Sequence, residues 1–295
     1  MALTLAEASK LSNDTLLQGV IETVVKDSPI LQLLPFIEIV GNGLTYNREA
    51  AASTAAFFDI GDPWTESTPT FTQVTAQLKI LGGDADIDNY LIATRSNVQD
   101  LQAAIVQLKA KAVQQLFEDS FINGDSAGNP RSFDGIDKLA DAAQTVSMGA
   151  NGATLTLARL DELIDAIKGG KPDLILMSKR SRRSLNQLAR SSGSFLETDR
   201  DEFGQMAQFY NGIPIGASDY VADDKTVGTS SDCSTIYAAQ FGEGGLSGLT
   251  APNGLQVERV GSLETKDATR LRIKWYAGLA LFSTIKLGKL IGVRP

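Results

Sequence analysis

The stretch SNVQDLQAAIVQLKAKAVQQLFEDSFINGD, residues 96–125, decides the fold of this chain. From Ser96 to Phe121 it contains neither glycine nor proline, and Asn123-Gly124 supplies a stop. Ser96 can act as the N-cap. The apolar residues that recur every three or four positions are Val98, Leu101, Ile105, Leu108, Ala112 and Leu116. This spacing predicts a helix over residues 96–122, a rod of about 40 Å that is more than twice as long as the mean globular helix.

An extended segment that runs out and back precedes this helix. Short strand candidates cover 36–40 and 44–49, and alternation resumes at residue 72. Residues 50–70 show neither helical nor strand periodicity. They nevertheless contain Phe57, Phe58 and Trp64, which a free loop would normally not expose. Because an isolated two-stranded ribbon is marginal in water, we expect a ribbon whose aromatic tip packs on a neighbouring subunit.

The first 35 residues have no self-sufficient core. Asn13 or Asp14 can cap a helix whose apolar positions are Leu16, Leu17, Val20, Ile21, Val24 and Val25. Pro29 and Pro35 interrupt this pattern, so residues 28–35 are predicted to be an irregular connector. The whole segment is predicted to be an arm that lies on another surface.

Helix and strand alternate after the long helix. Helices are predicted over 156–168 and 182–190, strands over 173–177, 212–216 and 235–239, and loops at glycines 242, 244, 245, 248 and 254. Residues 269–285 alternate as one long strand. Leu271, Ile273 and Trp275 lie on one face of it, and Arg270, Arg272 and Lys274 on the other.

The composition excludes several classes of function. The 295 residues include no histidine and one cysteine, Cys233, which excludes an intrachain disulfide, Ser-His-Asp catalysis and histidine-ligated zinc or haem. The net charge of −8 is unfavourable for a protein that reads nucleic acid. We see no leader and no apolar run near the ~20 residues of a membrane span, so we expect a soluble protein without a membrane partner.

Three short motifs resemble chemical sites. Asp84, Asp86 and Asp88 have the spacing that opens an EF-hand, but Asn89 and Arg95 stand where that loop needs glycine and glutamate. On a strand, these three carboxylates would share one solvated face, which is the interpretation we favour over a metal site.

Ser283 and Lys286 have Ser-x-x-Lys spacing, but on the predicted strand they point to opposite faces. The glycine-rich run 242–248 opens no helix and has Ser247 where a dinucleotide fingerprint has glycine or alanine. We therefore predict no catalytic residue, no metal ligand and no cofactor-binding residue.

The sharpest charge feature spans residues 179–202. Its basic residues are Lys179, Arg180, Arg182, Arg183 and Arg190, and its acidic residues are Glu197, Asp199, Asp201 and Glu202. A solvated helix face, a phosphate site at the helix start and complementary charge between subunits are all compatible with this pattern. Our candidate inter-subunit contacts are Phe57, Phe58, Trp64, Glu66, Arg182, Arg183, Glu197 and Asp199.

The order of arm, ribbon, long helix and compact α/β region resembles the major capsid protein of tailed double-stranded-DNA phages, whose fold is called Hong Kong 97-like. Four motifs carry the resemblance. Residues 61–66 (GDPWTE) stand at the expected E-loop, and 123–125 (NGD) followed by Gly135-Ile136 is similar to the exit of the family's spine helix. Residues 210–215 (YNGIPI) resemble an A-domain strand, and Arg270-x-Arg272 resembles the last long strand.

The resemblance implies an α+β fold with four parts. These are an N-terminal arm (1–43), an E-loop (44–81), a P-domain (82–150 and 255–276) with spine helix 96–122, and an A-domain (151–254 and 277–295). Because the sequence begins at Met1, we expect no N-terminal scaffolding domain that a protease removes.

The implied function is structural and not enzymatic. Pentamers and hexamers of this chain would close into an icosahedral shell around packaged double-stranded DNA, which would lie near the wall without specific contacts. The implied partners are other copies of the chain, a portal, scaffolding proteins and decoration proteins. The implied location is the virion capsid, assembled in the cytoplasm of the host bacterium.

Two alternatives stay open. Encapsulins share this fold and form bacterial compartments around a cargo enzyme, although the extended segment 44–81 favours the phage interpretation. An unrelated cytosolic enzyme would need convergent charged groups, and the sequence shows no such set.

Some members of the family join subunits by an isopeptide bond between an E-loop lysine and a neighbour's asparagine. Here no lysine lies between Thr45 and Leu78, and Arg48 cannot replace one, so we predict a non-covalent shell.

Overall fold

The computed structural model describes residues 28–51, 55–64, 66, 68–90, 98–191, 197–200 and 206–295. The predicted N-terminal helix, the Ser96 cap and the acidic residues Asp201 and Glu202 lie outside these ranges. The helices are α1 (Pro29–Leu33), α2 (Val98–Asn123), α3 (Ile136–Leu139), α4 (Leu157–Ala166) and α5 (Lys179–Ser191), with 3-10 turns at Ala142–Gln144 and Thr284–Lys286.

The described strands fall into three sheets. They are β1 (Phe36–Glu38), β2 (Gly43–Ala51), β3 (Thr70–Gln77), β4 (Lys79–Asp88), β5 (Thr145–Ser147), β6 (Ala153–Thr154), β7 (Leu174–Met177), β8 (Glu197–Arg200), β9 (Met206–Tyr210), β10 (Ile213–Ala217), β11 (Lys225–Val227), β12 (Ser230–Ala239), β13 (Leu246–Ser262), β14 (Ala268–Leu281) and β15 (Leu287–Arg294).

The predicted long helix is confirmed as α2, which continues to Asn123. Its stop depends on Gly124, whose N–H donates to Ser120 O at 2.9 Å and whose carbonyl accepts from Gly135 N at 2.8 Å. A Cβ atom at Gly124 would collide with the carbonyls of Ser120 and Phe133. Only glycine allows the chain to fold back so closely. The presence of Gly124 and Gly135 at this point of contact therefore has a steric cause.

The four-stranded sheet, in the order β1-β13-β14-β4, packs its inner face on α2. Trp275 in β14 is fully buried, and its ring centroid lies 4.7 Å from that of Phe117 in α2 and 5.4 Å from that of Phe36 in β1. Ile273 and Leu271 are buried on the same face. The predicted inward face of this strand is thus confirmed, and its aromatic contacts join three elements into one core.

The nine-stranded sheet forms the second layer, with β5-β15-β12-β7-β10-β9-β8 as its main path. Every residue of β7 is buried, as its unbroken apolar sequence LILM predicts. Leu160 and Leu163 of α4 and Leu185 of α5 are buried in the same core. The two cores are built from different elements, but Leu174, Tyr237 and Leu287 of this sheet belong to the cluster around α2.

The predicted ribbon is confirmed as the two-stranded sheet β2–β3, with Gly43 opposite Gln77 and Ala51 opposite Thr70. At the far end of β3, Leu78 separates this sheet from β4, which belongs to the four-stranded sheet. The ribbon therefore continues directly into the body of the subunit on both sides.

Several local predictions were wrong. Residues 28–35 contain a helix, because Ser28 caps it and Pro29 occupies its first turn, where a missing N–H costs nothing. Gly248 and Gly254 lie inside β13 rather than in loops, and Gly248 is packed under the Phe36 ring, where a Cβ would approach within 2.5 Å.

Two predicted boundaries also change. The last predicted strand ends at Leu281 and a 3-10 turn follows, while the helix predicted over 182–190 begins at Lys179. Within the described ranges, no helix is long and apolar enough to cross a membrane.

Candidate assembly surfaces

The tip of the ribbon, residues 55–64, presents apolar side chains to solvent. Phe57 and Ile60 are fully exposed, and Trp64 is 83% exposed although its ring stacks on Phe58 at a centroid distance of 4.6 Å. Asp59 and Asp62 close the turn, since Asp59 N donates to Asp62 Oδ2 at 2.8 Å. Glu66, also a predicted contact residue, is exposed. The predicted contact residues Phe57, Trp64 and Glu66 are thus exposed, as a contact surface requires, and their contact with another subunit stays a prediction.

The base of the ribbon is fixed to the body. The Tyr46 ring lies 4.8 Å from that of Phe282, and its hydroxyl donates to Leu281 O at 2.9 Å. Arg48 Nη2 donates to the same carbonyl at 2.5 Å. Two side chains of β2 thus meet the end of β14, so the body sets the direction in which the ribbon leaves it.

Lys79, the first lysine after the ribbon, is engaged at this base. Its Nζ donates to Pro130 O at 2.8 Å and to Gln77 Oε1 at 3.3 Å. The amine therefore binds within its own subunit, away from the ribbon tip.

The basic cluster at the start of α5 divides into two groups. Lys179 pairs with Asp219 at 2.6 Å, and Arg180 pairs with Asp223 at 3.4 Å and donates to Asp232 O at 2.7 Å. These two residues therefore bind within their own subunit. Arg182 and Arg183, in contrast, are exposed and form no ion pair with any acidic side chain in the described part of the chain.

The predicted acidic partners lie on β8. Glu197 and Asp199 are exposed on this strand, which is the last strand of the nine-stranded sheet. In the described part of the chain, Glu197 forms no ion pair with Arg182 or Arg183. Both sets remain exposed at the surface, as complementary contacts between subunits require.

A ladder of cross-strand ion pairs covers the outer face of the four-stranded sheet. Arg270 binds Asp86 through two hydrogen bonds of 2.6 and 2.9 Å, and Arg272 binds Asp84 through two of 2.7 and 2.9 Å. The strand register places each arginine directly opposite its carboxylate. These hydrogen bonds hold the pKa values of Asp86 and Asp84 below the ordinary carboxyl value.

The ladder is a feature that the sequence analysis missed. Asp84 and Asp86 were expected on a solvated face, whereas each is partly buried and paired. The alternation Asp-x-Asp-x-Asp against Arg-x-Arg-x-Lys is a signal that could have revealed the pairing of the two strands. Among the described residues, no acidic or cysteine cluster could hold a metal ion.

A polar node joins the two layers at Asp137 in α3. Its carboxylate accepts from Lys225 Nζ at 2.9 Å and from the Tyr237 hydroxyl at 3.0 Å, while Lys289 Nζ donates to its backbone carbonyl, also at 2.9 Å. Burial opposes ionisation, but the hydrogen bond and charge of Lys225 outweigh it and lower the pKa of Asp137. Burial and the neighbouring carboxylate raise the pKa of the Tyr237 hydroxyl.

The remaining motifs have structural roles. Ser283 and Lys286 lie at the two ends of a 3-10 turn, not on the strand that the sequence predicted. Lys286 Nζ donates to Gly169 O at 2.9 Å. Cys233 is a free, fully buried thiol.

The comparisons with known proteins agree with this architecture. The model of the phage capsid family matches residues 10–289. Among solved structures, the holo-SrpI encapsulin complex of Synechococcus elongatus matches with a TM-score of 0.72 at 20% identity, covering 100% of this chain and 97% of that one.

Phage-type capsids match as well. The capsid of the native GTA particle has a TM-score of 0.65 at 14% identity and covers 92% of this chain and 90% of that one. Microbacterium phage Oxtober96 also has a TM-score of 0.65, at 16% identity, and covers 91% of each chain. No curated protein matches the sequence.

These solved structures show that the chain has an α+β, Hong Kong 97-like fold. Since the family model spans nearly the whole sequence, the chain belongs to the phage capsid family.

Proposed function

We propose that copies of this chain form pentamers and hexamers that close into an icosahedral shell around packaged double-stranded DNA. The observation that carries the proposal is the ribbon, which leaves the body as a paired β2–β3 extension and ends in the exposed side chains of Phe57, Ile60 and Trp64. One subunit cannot bury this tip in its own core. In a closed shell, every tip can contact a neighbouring subunit.

The four-part division follows from this role. Residues 1–43 act as the arm, 44–81 as the E-loop, 82–150 and 255–276 as the P-domain, and 151–254 and 277–295 as the A-domain. The cluster around Trp275 and Phe117 supports a P-domain core, and the cluster around Leu160 and Ile175 supports an A-domain core. β13 and β14 run across the proposed boundaries, so two continuous strands connect the two domains.

The charge of the chain suits a container for DNA. With 35 acidic against 27 basic residues, a shell of many copies repels phosphates instead of holding them on its wall. DNA then lies near the wall without sequence-specific contacts. The proposal includes a portal, scaffolding proteins and decoration proteins as partners, and assembly in the cytoplasm of a host bacterium.

A second candidate is a compartment shell that encloses a cargo enzyme. The observation that favours it is the match to the SrpI encapsulin complex, which covers the whole chain and has a higher TM-score than the phage capsids quoted above. The length of the ribbon and the family model support the phage-type function.

Electron microscopy and analysis of the contents test both candidates. Negatively stained purified protein should show closed shells of uniform size, and dispersed small oligomers would contradict both. Particles purified from their native source should protect DNA from added nuclease, and mass spectrometry should find no abundant enclosed enzyme. A stoichiometric enzyme without DNA would establish the compartment function instead.

A further inference from the structure

The sequence contains five Asn-Gly pairs, whose asparagines are Asn42, Asn123, Asn151, Asn211 and Asn253. An asparagine that precedes glycine can deamidate, because the glycine nitrogen attacks the side-chain amide carbon and no Cβ atom of glycine hinders the approach. The reaction needs a side-chain amide that can turn and a glycine N–H that is not held in a hydrogen bond. The structure separates three of the pairs by these requirements.

The pair at the end of α2 is held at both groups. Asn123 Nδ2 donates to Asp119 Oδ1 at 2.9 Å and to Tyr220 O at 2.8 Å. Gly124 N donates to Ser120 O at 2.9 Å. Neither the amide nor the attacking nitrogen is available, so the fold protects Asn123.

The pair before β6 is held in the same way. Asn151 Oδ1 accepts from Thr229 N at 3.1 Å, which fixes the side-chain amide. Gly152 N donates to Gly149 O at 3.2 Å, which occupies the nitrogen. The fold therefore protects Asn151 as well.

The pair at residues 211 and 212 is exposed and open. Asn211 and Gly212 form the two-residue turn between β9 and β10, with Tyr210 opposite Ile213, and both turn residues are exposed. In the described part of the chain, Gly212 N donates to no carbonyl and the Asn211 side chain has no hydrogen-bond partner. A Cβ atom at Gly212 would meet nothing within 4 Å. The amide and the nitrogen can therefore meet.

Lys171 adds a chemical reason for reaction at this turn. Its Nζ donates to Asn211 O at 3.3 Å, and this oxygen belongs to the peptide bond whose nitrogen is Gly212 N. When that nitrogen loses its proton, negative charge develops on the same oxygen, and a neighbouring ammonium stabilises it. Among the hydrogen bonds of the described residues, no other Asn-Gly carbonyl accepts from a lysine.

We propose that Asn211 is a self-modification site, which deamidates in the folded subunit with the help of Lys171. A bond forms between Gly212 N and Asn211 Cγ, the bond from Cγ to Nδ2 breaks, and ammonia leaves with the proton that Gly212 N has lost. Water then opens the succinimide ring to aspartate or isoaspartate. Either product adds a negative charge beside Lys171, and isoaspartate also lengthens the turn that pairs Tyr210 with Ile213.

Peptide mapping by mass spectrometry tests the site on the purified, unmodified protein, whether or not it forms shells. During incubation at neutral pH, Asn211 should deamidate while Asn123 and Asn151 stay intact. In concentrated urea the three should react at similar rates, because the fold no longer protects any of them. If Asn211 in the folded protein is as stable as Asn123 and Asn151, the proposal is wrong.

A matched pair of variants tests the role of Lys171. Lys171→Met should slow deamidation of Asn211 in the folded protein by about two- to fivefold, the size expected for one exposed charge interaction. Lys168→Met removes the same charge from an exposed position nearby and should leave the rate unchanged. In urea both variants should match the unmodified protein. An unchanged rate for Lys171→Met, or equal slowing by both variants, would overturn the assistance by Lys171.

Discussion

The body around Trp275 and the ribbon differ in where their stabilising contacts come from. Trp275 is fully buried, and its contacts with Phe36 and Phe117 bring together residues more than a hundred positions apart in the sequence. Trp64 on the ribbon is 83% exposed and contacts Phe58, a residue of the same turn. The two tryptophans therefore have different partners: one stabilises the subunit, and the other is available to a second subunit.

This difference shows how a single chain can encode both a fold and an assembly. The apolar area buried in the body supplies the free energy that holds the subunit together. The ribbon has a paired backbone and a fixed base at Tyr46 and Arg48, but no core of its own. Changes in the body should therefore affect folding, and changes in the ribbon tip should affect assembly.

The largest expected effect comes from removing the ribbon tip. Replacing residues 52–68 with a short Gly-Ser turn leaves the base of β2–β3 and the Tyr46 anchor in place. We expect a soluble subunit with unchanged helix content by circular dichroism, and no shells by electron microscopy. If the variant closes into normal particles, the ribbon tip has no role in assembly.

The two tryptophans separate folding from assembly with single substitutions. Trp275→Ala removes a fully buried ring and should lower the free energy of unfolding by about 3–5 kcal/mol. Trp64→Ala should change it by less than about 0.5 kcal/mol, because the ring is exposed, and should still impair shell formation. Denaturant unfolding of unassembled subunits measures the first effect, and particle yield measures the second. Similar losses of subunit stability would contradict the distinction.

The sequence predicted the parts whose signals are local. An uninterrupted helical periodicity predicted α2, and the apolar run LILM predicted β7. The alternation of apolar and charged residues predicted the buried face of β14. The aromatic residues at 57, 58 and 64 lie at the ribbon tip, exposed or stacked on each other, whereas their contact with a second subunit stays a prediction.

The sequence did not predict features that depend on distant pairing. Nothing near Gly248 shows that Phe36 lies over it, so this glycine was interpreted as a loop residue. The pairing of Asp84 with Arg272 depends on the register between strands that are far apart in the chain. Likewise, the apolar spacing of α2 did not reveal that Leu108 and Leu116 lie on the exposed side, because α2 has apolar residues on both sides.

Charge reversal on α5 tests assembly at a second surface. Arg182 and Arg183 are exposed, so replacing both with glutamate should leave the subunit folded but block formation of pentamers and hexamers. Reversing Glu197 and Asp199 to lysine in the same chain should partly restore assembly. Native mass spectrometry measures both effects.

A single exposed charge contributes little to the free energy of association. The variant that reverses both the basic and the acidic residues is therefore the informative one. Normal assembly of the Arg182→Glu, Arg183→Glu variant would show that these side chains face solvent in the shell.

A smaller effect is expected at the node between the layers. The lowered pKa of Asp137 means that its contribution to stability is present above the ordinary carboxyl value of 3.8 and is lost as the pH falls through the lower value in the folded protein. Asp137→Asn should cost about 1 kcal/mol at neutral pH, since its side chain is 37% exposed and partly screened.

Urea unfolding of the subunit from neutral pH to pH 3 checks this prediction. The difference between Asp137→Asn and the unmodified subunit should shrink as the pH falls below about 4, because protonation removes the same charge. Asp165→Asn, at an exposed position of α4, should show no such dependence. A pH-independent difference would mean that the charge of Asp137 does not stabilise the node.

The smallest expected effect is the absence of a covalent product. An isopeptide bond made by the ribbon needs a lysine amine on it, and the sequence from Thr45 to Leu78 has no lysine. Lys79 lies at the base of the ribbon, about 20 residues along the chain from the tip. Its amine donates hydrogen bonds there to Pro130 O and Gln77 Oε1. Mature particles boiled in detergent should therefore give one band near 31.4 kDa. A ladder of multiples without added cross-linker would show that another amine joins the subunits, and replacing Lys79 with arginine would then reveal whether this lysine is the source.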